Sequence, residues 1–268
     1  FEWIGGAYYR SDKVDKTDDF IGETYLSVVT TGPLANALAT LSGQSEWINN
    51  GKNTSSAVFG QIAYKFTDGL KLSVGARYTR DKKSGQIQGI AVARGDRFRP
   101  ADTVSLTPLS LPAGTNSYST DYGQSWTKTT PQAILEWKQS DALFLYATVA
   151  KGFKGGGFED TPATAAAARQ PYNPETATNY EAGFKANLLD RRIKLNGTVF
   201  QMNYKDLQVT QTNAACLCNI TQNAASAKIK GFEAEFEFAV TRGLRLSLSG
   251  SYVDPKYENF IETTINPN

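Results

Sequence analysis

Three groups of residues in this chain have types and spacings that could do chemistry. The first is the run Lys-Gly-Phe-Lys-Gly-Gly-Gly-Phe, Lys151 to Phe158. A glycine run beside lysines is what a phosphate-cradling loop needs, because backbone N–H groups must come close to the anion. This run lacks the Gly-Lys-Ser/Thr ending and no βαβ unit surrounds it, so it reads as a bend where a strand meets a loop. Lys151 and Lys154 then stand either as contacts for an anionic ligand or as solvated rim charge. The second group is Cys216 and Cys218, the two cysteines of the chain. Two residues apart, they suit a small, somewhat strained disulfide in an oxidising compartment, whereas a lone Cys-x-Cys without further ligands is a weak metal signal. The third group is aromatic: Tyr118, Tyr122, Trp126, Tyr172 and Tyr204. These read as an interfacial girdle or, for Tyr122 and Tyr172, as stacking surface for a ligand.

The chain contains no histidine. Triad hydrolysis and histidine-based zinc chemistry are therefore excluded within this segment. No nucleophile–base set emerges, and neither an enzymatic activity nor a cofactor is expected. The net charge of +2 and the lack of a basic stripe give no reason to expect nucleic acid as a partner.

The elements that must position these groups are strands. Aromatic residues make up 12% of the chain and there are 23 glycines, a composition that favours sheet over helix. Side chains on a strand point to opposite faces in turn, so a period of two marks a ribbon with unlike faces. In Gly231 to Val240, Phe232, Ala234, Phe236, Phe238 and Val240 share one face, and Glu233, Glu235 and Glu237 share the other. Leu244, Leu246, Leu248 and Tyr252 alternate with Arg245, Ser247, Ser249 and Ser251. Leu70, Leu72, Val74, Ala76 and Tyr78 oppose Lys71, Ser73, Gly75, Arg77 and Thr79. Val58, Ile62, Tyr64 and Phe66 oppose Phe59, Gln61 and Lys65. Weaker strands are expected at about 2–10, 126–138, 142–153, 177–187 and 193–209, and the two faces of the last are unassigned.

The connections agree with this pattern. Thr67–Gly69 and Thr241–Gly243 end in glycine, as a three-residue hairpin loop requires. With such loops Phe66 pairs with Leu70, Val240 with Leu244, Phe236 with Leu248 and Phe238 with Leu246. Glu237 then lies diagonal to Arg245. Short links at 67–69, 139–141, 188–192 and 241–243 alternate with long polar ones near 11–54, 82–125, 154–176 and 210–225. Short turns at one end and long loops at the other describe an antiparallel transmembrane β-barrel. In that setting Phe232, Phe236, Phe238, Leu246 and Leu248 face lipid, while Glu233, Glu235, Glu237, Arg245 and Arg77 face a wet lumen or a polar plug. The longest apolar run, Ala142 to Ala150, is about half of what a spanning helix needs. A soluble sandwich that hides the phenylalanines remains an alternative on alternation alone.

From Leu145 onward a family resemblance appears. The phrases "LYATVAKGFKGGGFED", "YNPETATNYEAGFKANLLDRRIKLNGTVFQMNYKDLQV" and "IKGFEAEFEFAVTRGLRLSLSGSYVD" resemble, in this order, the barrels of the TonB-dependent outer-membrane receptors. The resemblance implies a 22-stranded barrel filled by an N-terminal plug, in the outer membrane of a Gram-negative bacterium. It also implies uptake of a scarce small-molecule ligand such as a metal chelate, most often a ferric siderophore, with energy passed through TonB. Its partners would be outer-membrane lipid, the plug and the TonB complex. About nine to ten strands are expected here, so residues 1–268 read as part of such a barrel without the plug or the closing strands. The competing functions are a passive porin-like channel and a soluble carbohydrate-binding β-sandwich.

Overall fold

The computed structural model describes residues 1–22, 43–92, 117–162, 164–213 and 218–261. Nine strands form one antiparallel sheet: β1 (Glu2–Gly22), β2 (Gly43–Lys65), β3 (Leu70–Val92), β4 (Ser117–Lys138), β5 (Leu143–Lys154), β6 (Glu175–Leu188), β7 (Ile193–Asn213), β8 (Cys218–Thr241) and β9 (Leu244–Phe260). Each strand pairs with its neighbours in sequence, in the order β1 to β9. A single turn of helix, α1 (Ala165–Ala168), is capped by Thr164, whose side chain accepts from the Ala167 N–H. It sits in the alanine-rich stretch between β5 and β6. Among the described residues no helix is long and apolar enough to cross a membrane.

The registers follow the alternation. Phe236 pairs with Leu248 and Phe238 with Leu246, and the Phe66 N–H donates to the Leu70 carbonyl at 2.9 Å. One expected pair fails. Thr241, not Val240, pairs with Leu244, and the ladder shifts between Ala239 and Thr241. Val240 is the extra residue of a bulge, which tightens the loop to Arg242 and Gly243 and keeps the apolar rows facing one another beyond it. The strands also run further than the alternation indicates. β1 continues to Gly22, β2 begins at Gly43, and β3 and β4 pair from Leu70↔Trp137 to Ile90↔Ser117. In these extensions the apolar groups are too sparse for a period-two signal, with Trp47, Ile87, Tyr118 and Tyr122 set on inner rows among polar residues, yet their backbone hydrogen bonds are satisfied by the ladder.

The two faces of the sheet change character along the strands. Near the short turns of β7–β9 one face carries Ile193, Leu195 and Val199 beside Phe238, Phe236 and Phe232, with Leu246, Leu248 and Tyr252 next to them. The opposite face there carries Lys194 against Glu237, Asn196 against Glu235 and Thr198 against Glu233. Beyond Phe232 and Tyr252 the assignment reverses. The first face becomes polar, with Lys230 beside Asp254 and Lys228 beside Lys256. The second becomes apolar, with Phe200, Met202 and Tyr204 beside Gly231, Ile229 and Ala227, then Val253, Pro255 and Tyr257. This exchange explains why strand 193–209 shows no clean period.

The level of the exchange climbs steadily across the sheet. The ladder leads from Tyr252 through Phe232, Val199, Ala182, Ala147 and Leu135 to Leu72 on β3. The aromatic that precedes the polar switch on β3 is Tyr78, six residues beyond Leu72 and six strands from β9, followed on the same face by Arg80. On β1 it is Tyr9, two residues beyond Ala7, which shares the Tyr78–Val58 row. The stagger is thus one residue per strand. With about 3.3 Å per residue and about 4.8 Å between strands, it gives a tilt of about 35°.

Candidate functional site

The segment between β5 and β6 lies against the sheet face that carries Lys71, Glu136 and the glutamates of β8, which we term the inner face. It holds this position through contacts with both halves of the sheet. The Trp47 indole N–H and the Tyr118 hydroxyl both donate to the Pro162 carbonyl, at 3.0 and 2.5 Å. Arg169 donates to Thr120 Oγ1 at 2.9 Å. Gln208 Nε2 donates to the Gly155 and Asn173 carbonyls at 3.0 Å, and Asn223 Nδ2 donates to the Asn173 carbonyl at 2.8 Å. Lys16 on β1 meets Asp160 at 2.9 Å, while the Glu159 carboxylate accepts the Thr221 N–H from β8. A segment that reaches both β1 and β8 spans the hollow of a curved sheet. Residues 155–162 and 164–173 form a strap across it.

Close packing, not polar contact alone, fixes the strap. A Cβ on Gly156 would lie 2.3 Å from the Tyr172 carbonyl oxygen and 2.6 Å from the Trp126 ring, and one on Gly157 would lie 2.3 Å from the Tyr172 hydroxyl. The glycine run is therefore there to let the chain pass under aromatic rings. Phe158 packs on Tyr122 at 4.6 Å and on Trp126 at 6.2 Å between ring centroids. Between strap and wall, Ala168 of the strap packs with Trp47 and Ile87 in a buried cluster, with Tyr118 and Tyr122 against it. Burial pushes the Tyr118 phenol up to about 12 and raises Tyr122 and Tyr172 in the same direction. Glu159, at the strap's centre, is also raised by burial, with the Thr221 N–H opposing.

Lower on the same face the side chains are polar and paired. Lys71 meets Glu136 at 2.7 Å, Lys65 meets Glu2 at 3.0 Å, and Lys194 and Arg245 both approach Glu237, at 3.6 and 3.4 Å. Asn196 donates to Glu235 at 3.1 Å. Tyr146 covers Gly183 and donates to Glu181 Oε1 at 2.9 Å, while Phe200 covers Gly231 higher up. Such ring-over-glycine pairs protect strand backbone where no side chain does. Among the described residues no group of three or more carboxylate, cysteine or histidine side chains could hold a metal ion.

A family model described as "TonB dependent receptor-like, beta-barrel" matches residues 2–267. The chain belongs to this receptor family. It is 26% identical over 171 residues to the metal-pseudopaline receptor CntO of Pseudomonas aeruginosa, covering 64% of this chain and 22% of that protein. Two solved structures share its fold. The ferric yersiniabactin uptake receptor FyuA of Yersinia pestis has a TM-score of 0.60 and 19% identity over 80% of this chain and 31% of that one. The siderophore receptor PiuA of Acinetobacter baumannii has a TM-score of 0.62 and 17% identity over 99% and 37%. The chain thus spans about a fifth of the curated relative and about a third of each structure.

Within the TonB-dependent receptor fold, Glu233, Glu235, Glu237, Arg245 and Arg77 share the inner face, and Phe232, Phe236, Phe238, Leu246 and Leu248 share the other. The expected aromatic girdle lies elsewhere than expected. Tyr118, Tyr122, Trp126 and Tyr204 are on inner rows, and Tyr172 belongs to the strap. Among the described residues the tyrosines and tryptophans of the outer face are instead Trp3, Tyr9, Tyr64, Tyr78, Trp137, Tyr180 and Tyr252. The difference arises because the faces exchange character above the outer aromatic ring, so a tyrosine near a long loop points inward. Tyr122 is engaged within the protein: its hydroxyl donates to Asn49 at 2.8 Å and its ring carries Phe158. Lys154 closes β5 beside Glu175 and is exposed. Cys218 opens β8 opposite Asn213, while its side chain and Cys216 lie outside the described residues. Sequence reasoning missed the strap. The signal for it was the glycine triplet enclosed by Phe153 and Phe158, which marks close ring contact as well as a bend.

Proposed function

We propose that this chain is part of an outer-membrane receptor that binds a scarce ligand, a ferric siderophore, and imports it with energy delivered through TonB. One observation carries the reading: the exchange of faces at a ring of aromatics. Below the ring, apolar side chains lie outside and carboxylates inside; above it, lysines lie outside and aromatics inside. From Leu244 to Tyr252, eight residue steps at about 3.4 Å and a tilt of about 35° give an apolar band of about 22 Å, close to the roughly 25 Å of outer-membrane barrels. A soluble sandwich has no reason to reverse its faces at one staggered level. The carboxylate row then meets the plug, and the ligand meets the strap, Lys154 and the apolar inner wall near Phe200, Met202 and Tyr257. That CntO, FyuA and PiuA are receptors for metal chelates or siderophores supports the ligand class.

The test uses the full-length receptor expressed in iron-limited cells supplied with ferric siderophores of the catecholate, hydroxamate and phenolate-thiazoline classes. Growth rescue that depends on both the receptor and TonB is the expected result. Rescue or solute flux that persists without TonB assigns a passive channel instead. Spin labels at 236 and 248 should report lipid and one at 235 a polar surrounding; the reverse pattern removes the membrane assignment.

A further inference from the structure

We propose that Lys13, Lys52, Arg80 and Lys82 form a binding site on the outer face, just beyond the aromatic ring, for the phosphate groups of a lipid headgroup in the outer leaflet. The site rests on the proposed function only in that the outer face meets lipid.

Register brings the four cations together. On the outer face one ladder row runs from Tyr9 through Ser56 to Arg80, the next from Ser11 through Thr54 to Lys82, and the third joins Lys13 directly to Lys52. Arg80 and Lys82 stand two residues apart on β3, and Lys52 lies diagonal to Lys82, within reach of a long side chain. All four are exposed. No carboxylate stands in these rows. Followed onto β4, their other positions are serine or threonine, apart from Tyr9 and Gly123, and a hydroxyl can donate to a phosphate oxygen. The nearest outer-face acids on these strands, Asp15 and Asp121, occupy the following row, and Asp121 accepts from Gln86 Nε2 at 3.4 Å.

The lack of partners is particular to this sector. On the same side of the aromatic ring in β8 and β9, Lys256 meets Asp254 at 2.9 Å, Lys228 pairs with Glu258, and Lys230 lies opposite Asp254. Among the described residues none of Lys13, Lys52, Arg80 and Lys82 has an ion pair. Two lysines set directly opposite one another repel, and an anion between them removes that cost. Solubility alone would be served equally well by the paired arrangement of β8 and β9.

Height selects the ligand. Arg80 stands two residues beyond Tyr78, while Lys82 and Lys13 stand four beyond Tyr78 and Tyr9. At about 3.4 Å per residue and about 35° of tilt, these positions lie about 6 and about 11 Å past the ring. The headgroup layer beside the hydrocarbon is about 5–8 Å deep. Arg80 therefore sits within it, and the lysines reach back to it along their flexible stems. A guanidinium that takes two phosphate oxygens at once, with ammonium groups around it, suits a phosphate monoester better than a zwitterionic headgroup.

The experiment uses the full-length receptor in a neutral detergent, with bound lipid measured by native mass spectrometry. The probes are lipid A with two phosphates, lipid A with one, and inorganic pyrophosphate. The substituted side chains are exposed, so the barrel itself should be unaffected. Native receptor should bind the two-phosphate lipid more tightly than the one-phosphate form. The double variant Lys52→Gln, Lys82→Gln should weaken binding at least tenfold, and Arg80→Gln several-fold. Lys256→Gln, whose lysine already has a partner, should change it less than twofold. The proposal is overturned if the double variant binds lipid A as native receptor does, or if Lys256→Gln loses as much. Pyrophosphate binding that depends on Lys52 and Lys82, without preference between the lipid forms, also overturns it, because the occupant is then a free anion. Either failure with TonB-dependent uptake intact rejects the site and leaves the receptor function standing.

Discussion

Leu248 offers the sharpest test of which face meets hydrocarbon. It is 72% exposed on the outer face and stands four residues from Leu244 at the short turn and four from Tyr252 at the aromatic ring. At about 3.4 Å per residue and about 35° of tilt, it lies about 11 Å from each limit, at the middle of the band. An arginine there should cost about 2–4 kcal/mol, the mid-plane value for a cation on the lipid face of a barrel. That is roughly a 30- to 700-fold fall in the folded-to-unfolded ratio. Ser247 is the control. Its neighbour across the ladder is Glu237, which already approaches Arg245 at 3.4 Å, so Ser247→Arg should change stability by less than about 0.5 kcal/mol. Equilibrium guanidinium unfolding of the full-length receptor in phospholipid vesicles measures both. If Leu248→Arg is neutral, or if Ser247→Arg costs as much, the assignment of faces is wrong.

Three further outcomes test the strap. Gly156→Ala places a methyl group 2.3 Å from the Tyr172 carbonyl oxygen and should cost about 1–3 kcal/mol of strap docking, seen as faster proteolysis within 155–173 and a shift in Trp126 fluorescence. Gly152→Ala, whose Cβ would meet nothing within 4 Å, should leave both unchanged. The strap should also respond to pH. Burial raises the Glu159 carboxyl above its ordinary value, so docking is strongest below the undocked pKa and weakens as pH rises through the docked one. Hydrogen-exchange protection of residues 155–173 should fall over that window in the native protein and stay level in Glu159→Gln.

Much of this architecture was legible in the sequence, and the limits of legibility have physical causes. Phe236 opposite Leu248 and Leu70 opposite Phe66 could be read because unlike faces impose a period of two and a slip of one residue would reverse them. The pairing of Val240 could not, since a bulge near a turn costs little and leaves the rows beyond it intact. The outer ends of β1–β4 were hidden because stretches such as Asn49 to Thr54 are polar on both faces and only ladder hydrogen bonds reveal them. On β7 the exchange of faces places Val199 and Phe200 side by side, so the strand looks apolar on both sides. Arg77 was legible as an inward cation, but its place beside the Tyr8 and Phe59 rings depends on register with β1 and β2. The strap depends on contacts such as Trp47 with Pro162, more than a hundred residues apart, and local pattern carries no trace of these.

The one-residue stagger has a bearing on how such walls change size. Each strand docks only on its chain neighbours, so a hairpin is a self-contained tile that brings two residues of offset with it. Removing or adding one tile would shift everything beyond it by the same two residues along the slope, leaving the aromatic rim continuous. Circumference can therefore vary in units of one hairpin without retuning the positions that touch hydrocarbon, whereas loss of a single strand would invert the direction of every strand that follows.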